Sequence, residues 1–373
     1  MRAVIHIGTQ KTGTTTIQRF LVENREELKK QNVFYSLGGY KDQSRGLYRA
    51  VIMPGGPYLS FFGQLFERGF IPSNQDEYWQ KYRREIRRNC RKNDTVVFSY
   101  EVLSYCSKKE VERLKGLMDS LFDDVTVVLY LRRQPEFLIS YFNTWQALAS
   151  RWHVANYLDM SEENSILAYH KKVESWTIFG KDKIKVRIFD KAEFQDNDLL
   201  SDFAHTVGFD IKGLKLTKDM KIGLSSAEVK FLLLLGNHIS PQEIDEEFCS
   251  LIARLRILLE DKGNKENRKI DNKAHYLNRD EAQRVLNQYG EGNDWIAREY
   301  LGRDKLFSDD VSMYPVEVAS PHTLTIEKCI EMMAACHAHP AKGIFLPRWL
   351  GHFITCFMPR ERNRQRFLEK YVK

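Results

Sequence analysis

Four short runs in the first half of the chain are apolar at nearly every position: Ala3–Ile7, Thr95–Ser99, Val125–Leu131 and Ile184–Phe189. Rich in Val, Ile, Leu and Phe, they read as strands buried on both faces of a parallel sheet. Around them apolar residues recur every three or four positions. Ile17, Phe20, Leu21 and Leu28 follow the first run; Val111, Leu114, Met118 and Leu121 precede the third; Ile166, Val173 and Trp176 precede the fourth. That period predicts amphipathic helices. Strand and helix in alternation mean βαβ units with right-handed crossovers, hence an α/β fold of three layers, α/β/α, around a parallel central sheet.

From about Lys215 the strand-like runs stop. Ser225–Leu235, Glu243–Leu259 and Arg279–Leu301 read as helices, with a polar stretch, Asp261–Lys273, among them. The chain divides into an α/β core over 1–215, a helical part of the same unit over 216–310, and an extension over 311–373 with Pro, His and a basic end. There is no internal repeat and no low-complexity tract.

Composition narrows the class. With 373 residues, 43% hydrophobic and 29% charged, the chain can bury a sizeable core and is neither disordered nor a small disulfide scaffold. Lys and Arg exceed Asp and Glu by 57 to 50, a net charge of +7. That excess admits an anionic partner but falls far short of a dedicated nucleic-acid binder, so no nucleic acid is expected. Cys90, Cys106, Cys249, Cys329, Cys336 and Cys356 are scattered without a CxxC pair, as in proteins whose thiols stay reduced. The apolar stretch after Met1-Arg2 is too short for a signal peptide, and no run reaches the roughly 18 apolar residues of a membrane span. The expectation is a soluble, cytoplasmic protein.

The sharpest chemical feature is Gly8-Thr9-Gln10-Lys11-Thr12-Gly13-Thr14-Thr15-Thr16, set between the first strand and an amphipathic helix. Two glycines let the backbone curl so that successive N–H groups point at one anion. The helix N-terminus adds unpaired donors and partial positive charge. Lys11 brings a full charge and the threonines bring hydroxyls. This is a phosphate-type cradle. It is not Walker A, where the lysine directly follows the second glycine; here Lys11 stands two positions before Gly13. The Val125–Leu131 strand ends in Arg132-Arg133 rather than in an acid able to hold magnesium. Such a site suits a nucleotide whose transferred group needs no bridging metal, and no metal is expected.

Arg132 stands at the carboxyl end of a strand, where open α/β sheets bind ligands. Ser140 follows eight positions later in a helical stretch, so that an Arg and a Ser could grip one phosphate together. The two motifs jointly resemble the sulfotransferases that use 3′-phosphoadenosine 5′-phosphosulfate (PAPS). In that family a K-[ST]-G-[ST]-[ST] loop, matched by Lys11 to Thr15, holds the 5′-phosphosulfate. A strand-end Arg with a Ser eight residues on, matched by Arg132 and Ser140, holds the 3′-phosphate. Ile5-His6-Ile7-Gly8, Gln18, Arg132-Arg133-Gln134 and Phe137-Leu138 are similar to the bacterial branch that modifies surface glycans. Gly223-Leu224-Ser225 and Leu306-Phe307 are weaker likenesses. The resemblance spans about residues 1–310 and implies a P-loop-like sulfotransferase fold, with PAPS as donor and Gln10, Lys11, Thr12, Gly13, Thr14, Thr15, Thr16, Arg132 and Ser140 as its binding residues.

Sulfuryl transfer needs charge stabilisation at the leaving phosphate, which Lys11 and the loop amides can supply. It also needs a base for the acceptor hydroxyl. Glu101, at the end of the Thr95–Ser99 strand, stands where it could serve; it could equally order the loop or pair with Lys11. His6, inside the first strand, reads as a hydrogen-bonded structural histidine. Tyr35, Tyr40, Tyr48, Tyr58, Phe61 and Phe62 could stack on sugars, with Arg45 and Arg49 meeting carboxylates, or could pack in a core. A histidine that many bacterial relatives carry near Ser44–Leu47 is absent.

The expected reaction is sulfation of a carbohydrate hydroxyl on a surface polysaccharide, glycolipid or lipo-oligosaccharide. The alternatives are a P-loop kinase or NTPase with an atypical loop, and a non-catalytic glycan- or polyanion-binding module. Tyr78–Lys92 reads as an amphipathic helix whose basic face is solvated or docks an anionic glycan. Cys329, Cys336, His337 and His339 match no familiar zinc spacing. Residues 343–373 join an apolar stretch to a basic end, either a packed terminal element or a peripheral attachment to the inner membrane.

Overall fold

A computed structural model of the chain describes residues 1–53, 74–145, 166–216 and 277–317. Five strands form one sheet: β1 (Arg2–His6), β2 (Val33–Tyr35), β3 (Thr95–Ser99), β4 (Asp124–Leu131) and β5 (Ile184–Ile188). Their order is β2-β3-β1-β4-β5 and every pairing is parallel, with Ile5 opposite Phe98 on one side and Val127 on the other. The four strands read from the sequence are thus present to within a residue or two. β2 was not legible, because three residues at a sheet edge carry no periodicity.

Helices close both faces. Over one lie α1 (Thr14–Glu23) and α2 (Arg25–Lys30), whose Ile17, Phe20, Leu21 and Leu28 pack on Val4, Val97, Val128 and Tyr130. Over the other lie α3 (Arg45–Val51), α4 (Gln75–Asn89) and α5 (Lys108–Asp119). Trp79, Tyr82, Ile86, Val111, Leu114 and Met118 cover Ile5, Phe98 and Val127 there. α5 starts on a capping box in which Ser107 and Glu110 exchange side-chain and backbone bonds, a device contributing about 1 kcal/mol. The layering is α/β/α, as the alternation of patterns predicts.

After β4 come α6 (Gln134–Trp145) and, beyond the intervening segment, α7 (Tyr169–Trp176); α8 (Leu199–Val207) follows β5. α8 joins the α1 face through Leu200, Phe203 and Val207. Its Asp202, fully buried, accepts from the Tyr130 hydroxyl at 2.7 Å, from the Gln195 N–H at 3.0 Å and from the Arg187 guanidinium. No lone pair of that carboxylate is left to repel its surroundings, so the charge is tolerable in the core. α9 (Arg279–Ile296) continues as a π turn to Leu301, matching the predicted Arg279–Leu301 helix.

The Tyr78–Lys92 pattern is α4. Its Trp79, Tyr82 and Ile86 are buried while Lys81, Arg84, Arg87 and Arg88 face solvent. Glu85, the one acid between Tyr78 and Lys92, turns inward and accepts from Ser36 Oγ at 2.7 Å and from the N–H groups of Leu37 and Gly38 at 3.1 and 2.8 Å. Tyr35 and Tyr48 are core residues, not sugar platforms. Tyr58, Phe61, Phe62, Ser225–Leu235, Glu243–Leu259, Asp261–Lys273, Gly223-Leu224-Ser225, the four C-terminal Cys and His ligand candidates and the 343–373 tail lie outside the described residues.

The chain forms two compact units. The first comprises Met1–Phe137, Met160–Asp219 and Gln283–Asp310 and holds the whole sheet. The second comprises Leu138–Asp159, Met220–Ala282 and Val311–Lys373; within it the Arg279 N–H donates to the Pro315 carbonyl at 2.8 Å. The reversal in strand order lies in the first unit. The chain leaves β1 toward one edge, returns as β3, and crosses to β4 on the other side of β1. Ligands collect at such a reversal, outside the carboxyl ends of β1 and β4.

Candidate functional site

Beyond His6 the chain keeps following β4 for three residues. The Ile7 N–H donates to the Val128 carbonyl at 3.0 Å and the Thr9 N–H to the Tyr130 carbonyl at 3.2 Å. The Thr9 hydroxyl donates to the same Tyr130 oxygen at 3.0 Å, and the Thr12 hydroxyl donates to the Thr9 carbonyl at 2.6 Å. These hydroxyls stitch the loop, so what Thr12 can offer a ligand is its backbone. Gly8, Lys11 and Gly13 all take left-handed backbone angles, φ 60°, 63° and 74°. Three such residues within six turn the backbone sharply, the kind of conformation from which anion nests are built. Lys11 pays a penalty on the order of 1–2 kcal/mol that glycine would not.

Both glycines are obligatory for a second reason. A Cβ on Gly8 would sit 2.6 Å from Thr14 Cγ2 and 3.2 Å from Glu101 Cβ. A Cβ on Gly13 would run into the Leu199 side chain and come within 3.1 Å of the Phe189 ring. As N-cap of α1, Gly13 brings no side-chain acceptor to the first-turn amides of Thr14, Thr15 and Thr16. Gln10 Oε1 is buried in the loop without a hydrogen-bond partner, an orphan polar group of the kind a bound polar ligand satisfies. That oxygen can only accept, so it would meet a donor on a ligand, while the left-handed turn at the α1 N-terminus is of the kind that binds an anion.

Glu101 opens a 3₁₀ turn (Glu101–Tyr105) two residues past β3, and its Cβ borders the Gly8 backbone. A polar chain leads to it. Ser99 Oγ lies 2.8 Å from His6 Nδ1; Gln18 Nε2 reaches Ser99 Oγ at 3.3 Å and donates to Glu101 Oε2 at 2.9 Å. Gln18 belongs to the sequence motif, but its role as the residue orienting Glu101 was not readable: helical position says nothing about which strand end a side chain meets. His6 is fully buried, with the rings of Tyr130 and Phe203 at 5.9 and 5.3 Å. Burial pulls its pKa down to about 3, keeping the imidazole neutral. The structural reading of His6 holds.

Arg132 follows β4 directly, and its guanidinium donates to the Lys11 carbonyl at 3.1 Å while lying 5.5 Å from the Phe189 ring. Its own carbonyl accepts from the Tyr169 hydroxyl at 2.7 Å. Arg133 turns the other way, pairing with Glu136 at 2.6 Å and donating to the carbonyls of Ser308 and Asp310 at 2.8 and 2.7 Å. Of two adjacent arginines, one faces the loop and one pins the chain that follows α9. Ser140 sits half-buried on α6, in the part of that helix assigned to the second unit. The structure thus brings Gln10, Lys11, Thr12, Gly13, Thr14, Thr15, Thr16, Glu101 and Arg132 to one end of the sheet.

Fold and loop together define an α/β protein with a strand–loop–helix anion cradle at the reversal point of a parallel sheet. No family model matches the chain, and no curated protein matches its sequence. Among solved structures it is similar to a sulfotransferase from Alicyclobacillus acidocaldarius, at 14% identity, over 71% of this chain and 98% of that one, with a TM-score of 0.38. Among the described residues no three His, Cys, Asp or Glu side chains converge as metal ligands would, and no helix is long and apolar enough to cross a membrane.

Proposed function

We propose that the chain is a PAPS-dependent sulfotransferase that sulfates a hydroxyl of a carbohydrate acceptor, on a surface polysaccharide, glycolipid or lipo-oligosaccharide. The observation that carries this reading is the bond from the Arg132 guanidinium to the Lys11 carbonyl: the leading residues of the two motifs, far apart in sequence, are in contact.

PAPS, when bound, would supply the sulfuryl group. The loop N–H groups and Lys11 hold its 5′-phosphate and stabilise the charge gathering on the leaving phosphate oxygen. Arg132 holds the 3′-phosphate. Glu101, oriented by Gln18, takes the proton of the acceptor hydroxyl as that oxygen attacks sulfur in line. A buried neutral amide donor fixes the carboxylate without neutralising it. The reaction belongs in the cytoplasm, with residues 343–373 as a peripheral attachment to the inner membrane where the acceptor is lipid-linked; deleting them would then move the protein from membrane to soluble fractions.

The test is calorimetric titration with 3′-phosphoadenosine 5′-phosphate (PAP), without added metal, against ATP with Mg²⁺. Metal-independent PAP binding that Arg132→Ala weakens supports the reading. Preference for Mg-ATP moves the chain to the kinase or NTPase class. Salt-steep polyanion binding indifferent to nucleotide makes it a binding module.

A further inference from the structure

Helix α7 carries a lysine whose placement the donor site does not explain. Lys172 is half-buried, and its ammonium meets only the Ser104 carbonyl, at 3.4 Å, and the face of the Tyr105 ring, at 4.4 Å. Among the described residues no carboxylate pairs with it. Burial draws its pKa from the usual 10.5 to about 8. A half-buried cation with one long hydrogen bond and an aromatic face is costly, and an apolar side chain would pack there at less expense.

Its position gives the cation a purpose. One turn earlier on the same face of α7, Tyr169 donates to the Arg132 carbonyl at the end of β4. Lys172 meets the 3₁₀ turn that follows β3, and the Ser104 hydroxyl in that turn donates to the Glu101 carbonyl at 2.8 Å. Since β3 and β4 flank β1, the first turn of α7 spans the carboxyl edge of the sheet at the cradle. The phosphate-binding groups belong to the ends of β1 and β4. Lys172 stands instead on the Glu101 side, where an acceptor hydroxyl has to lie to be deprotonated.

We infer that Lys172 receives a carboxylate of the acceptor, making the enzyme selective for a saccharide that bears a uronate or sialate group near the hydroxyl it sulfates. One ammonium with an aromatic wall matches a single negative charge. The inference rests on the sulfotransferase reading for what the neighbouring crevice does, but it concerns a different ligand and is tested separately.

Oligosaccharides carrying glucuronate or sialate, each beside its carboxyl-reduced counterpart, would be titrated into the full-length protein with and without PAP. The expected result is a preference for at least one acid form of about tenfold or more, lost in Lys172→Met and largely kept in Lys172→Arg, with PAP affinity unchanged in both variants. The inference is overturned if no acid form is preferred over its reduced form, or if the preference survives in Lys172→Met. Failure of the wild type to bind PAP would sink the donor assignment instead, and the glycan titrations without PAP would still decide the role of Lys172.

Discussion

The Arg132 guanidinium donates to the Lys11 carbonyl at 3.1 Å across 121 positions of sequence. One arginine thereby does two things: it places positive charge at the end of β4 and it holds the left-handed Lys11 backbone in place. Arg132→Ala should therefore raise the Kd for PAP about 10- to 100-fold, the range for losing a charge-assisted phosphate contact. Arg132→Lys should recover only part of it, because an ammonium lacks the planar fork that can serve the Lys11 carbonyl and a phosphate at once. Calorimetry on both variants checks this; equal affinities for wild type and Arg132→Ala would refute the anchor.

Gly13→Ala combines a left-handed backbone with a Cβ driven into Leu199 and Phe189. The expected cost is about 1–3 kcal/mol, seen as a lowered Tm, together with loss of PAP binding as the α1 N-terminus shifts. A variant that melts like wild type would mean that the close approach of α8 to the loop is misjudged.

Glu101→Gln keeps the volume and removes the charge. With Glu101 as base, kcat should fall about 100- to 10,000-fold while PAP affinity stays put. Retained turnover, with weakened PAP binding in its place, would make Glu101 a loop-ordering residue.

His6 supplies an acid limb to stability. It is neutral in the fold, with its pKa lowered by burial to about 3, while the unfolded chain binds its proton below about 6.5. In that window the unfolded state carries the extra proton, so stability falls as pH drops from 6.5 toward 3, by at most about 1.4 kcal/mol per pH unit. His6→Asn, which can still bond Ser99, should flatten that limb in denaturant titrations at pH 7, 5 and 4. An unchanged slope would place the acid sensitivity elsewhere.

Lys172 supplies a limb of the same sign at high pH. Its pKa is lowered in the fold, so between about 8 and 10.5 the unfolded chain holds a proton that the folded chain has lost. Stability should rise through that window, and below pH 8 the full penalty is present. Lys172→Met should consequently stabilise the protein at pH 7, by up to roughly 3 kcal/mol, while removing discrimination for acidic acceptors. A destabilised Lys172→Met would mark the lysine as a structural element.

The apolar runs at Ala3–Ile7, Thr95–Ser99, Val125–Leu131 and Ile184–Phe189 determined the parallel sheet by themselves, since a strand buried on both faces must be apolar at nearly every position. Gly8 and Gly13 on either side of Lys11 marked the turn, because glycine readily takes the left-handed backbone angles found there. Both are local matters. β2 stayed hidden because three residues cannot display a period. Which strand end Gln18 would meet, which of Arg132 and Arg133 would turn to the loop, that Tyr35 and Tyr48 would be core, and that Lys172 would be drawn over the Glu101 turn were decided only by the tertiary structure. Each depends on the order β2-β3-β1-β4-β5, and strand order follows from the summed packing of two helical layers rather than from any stretch of sequence.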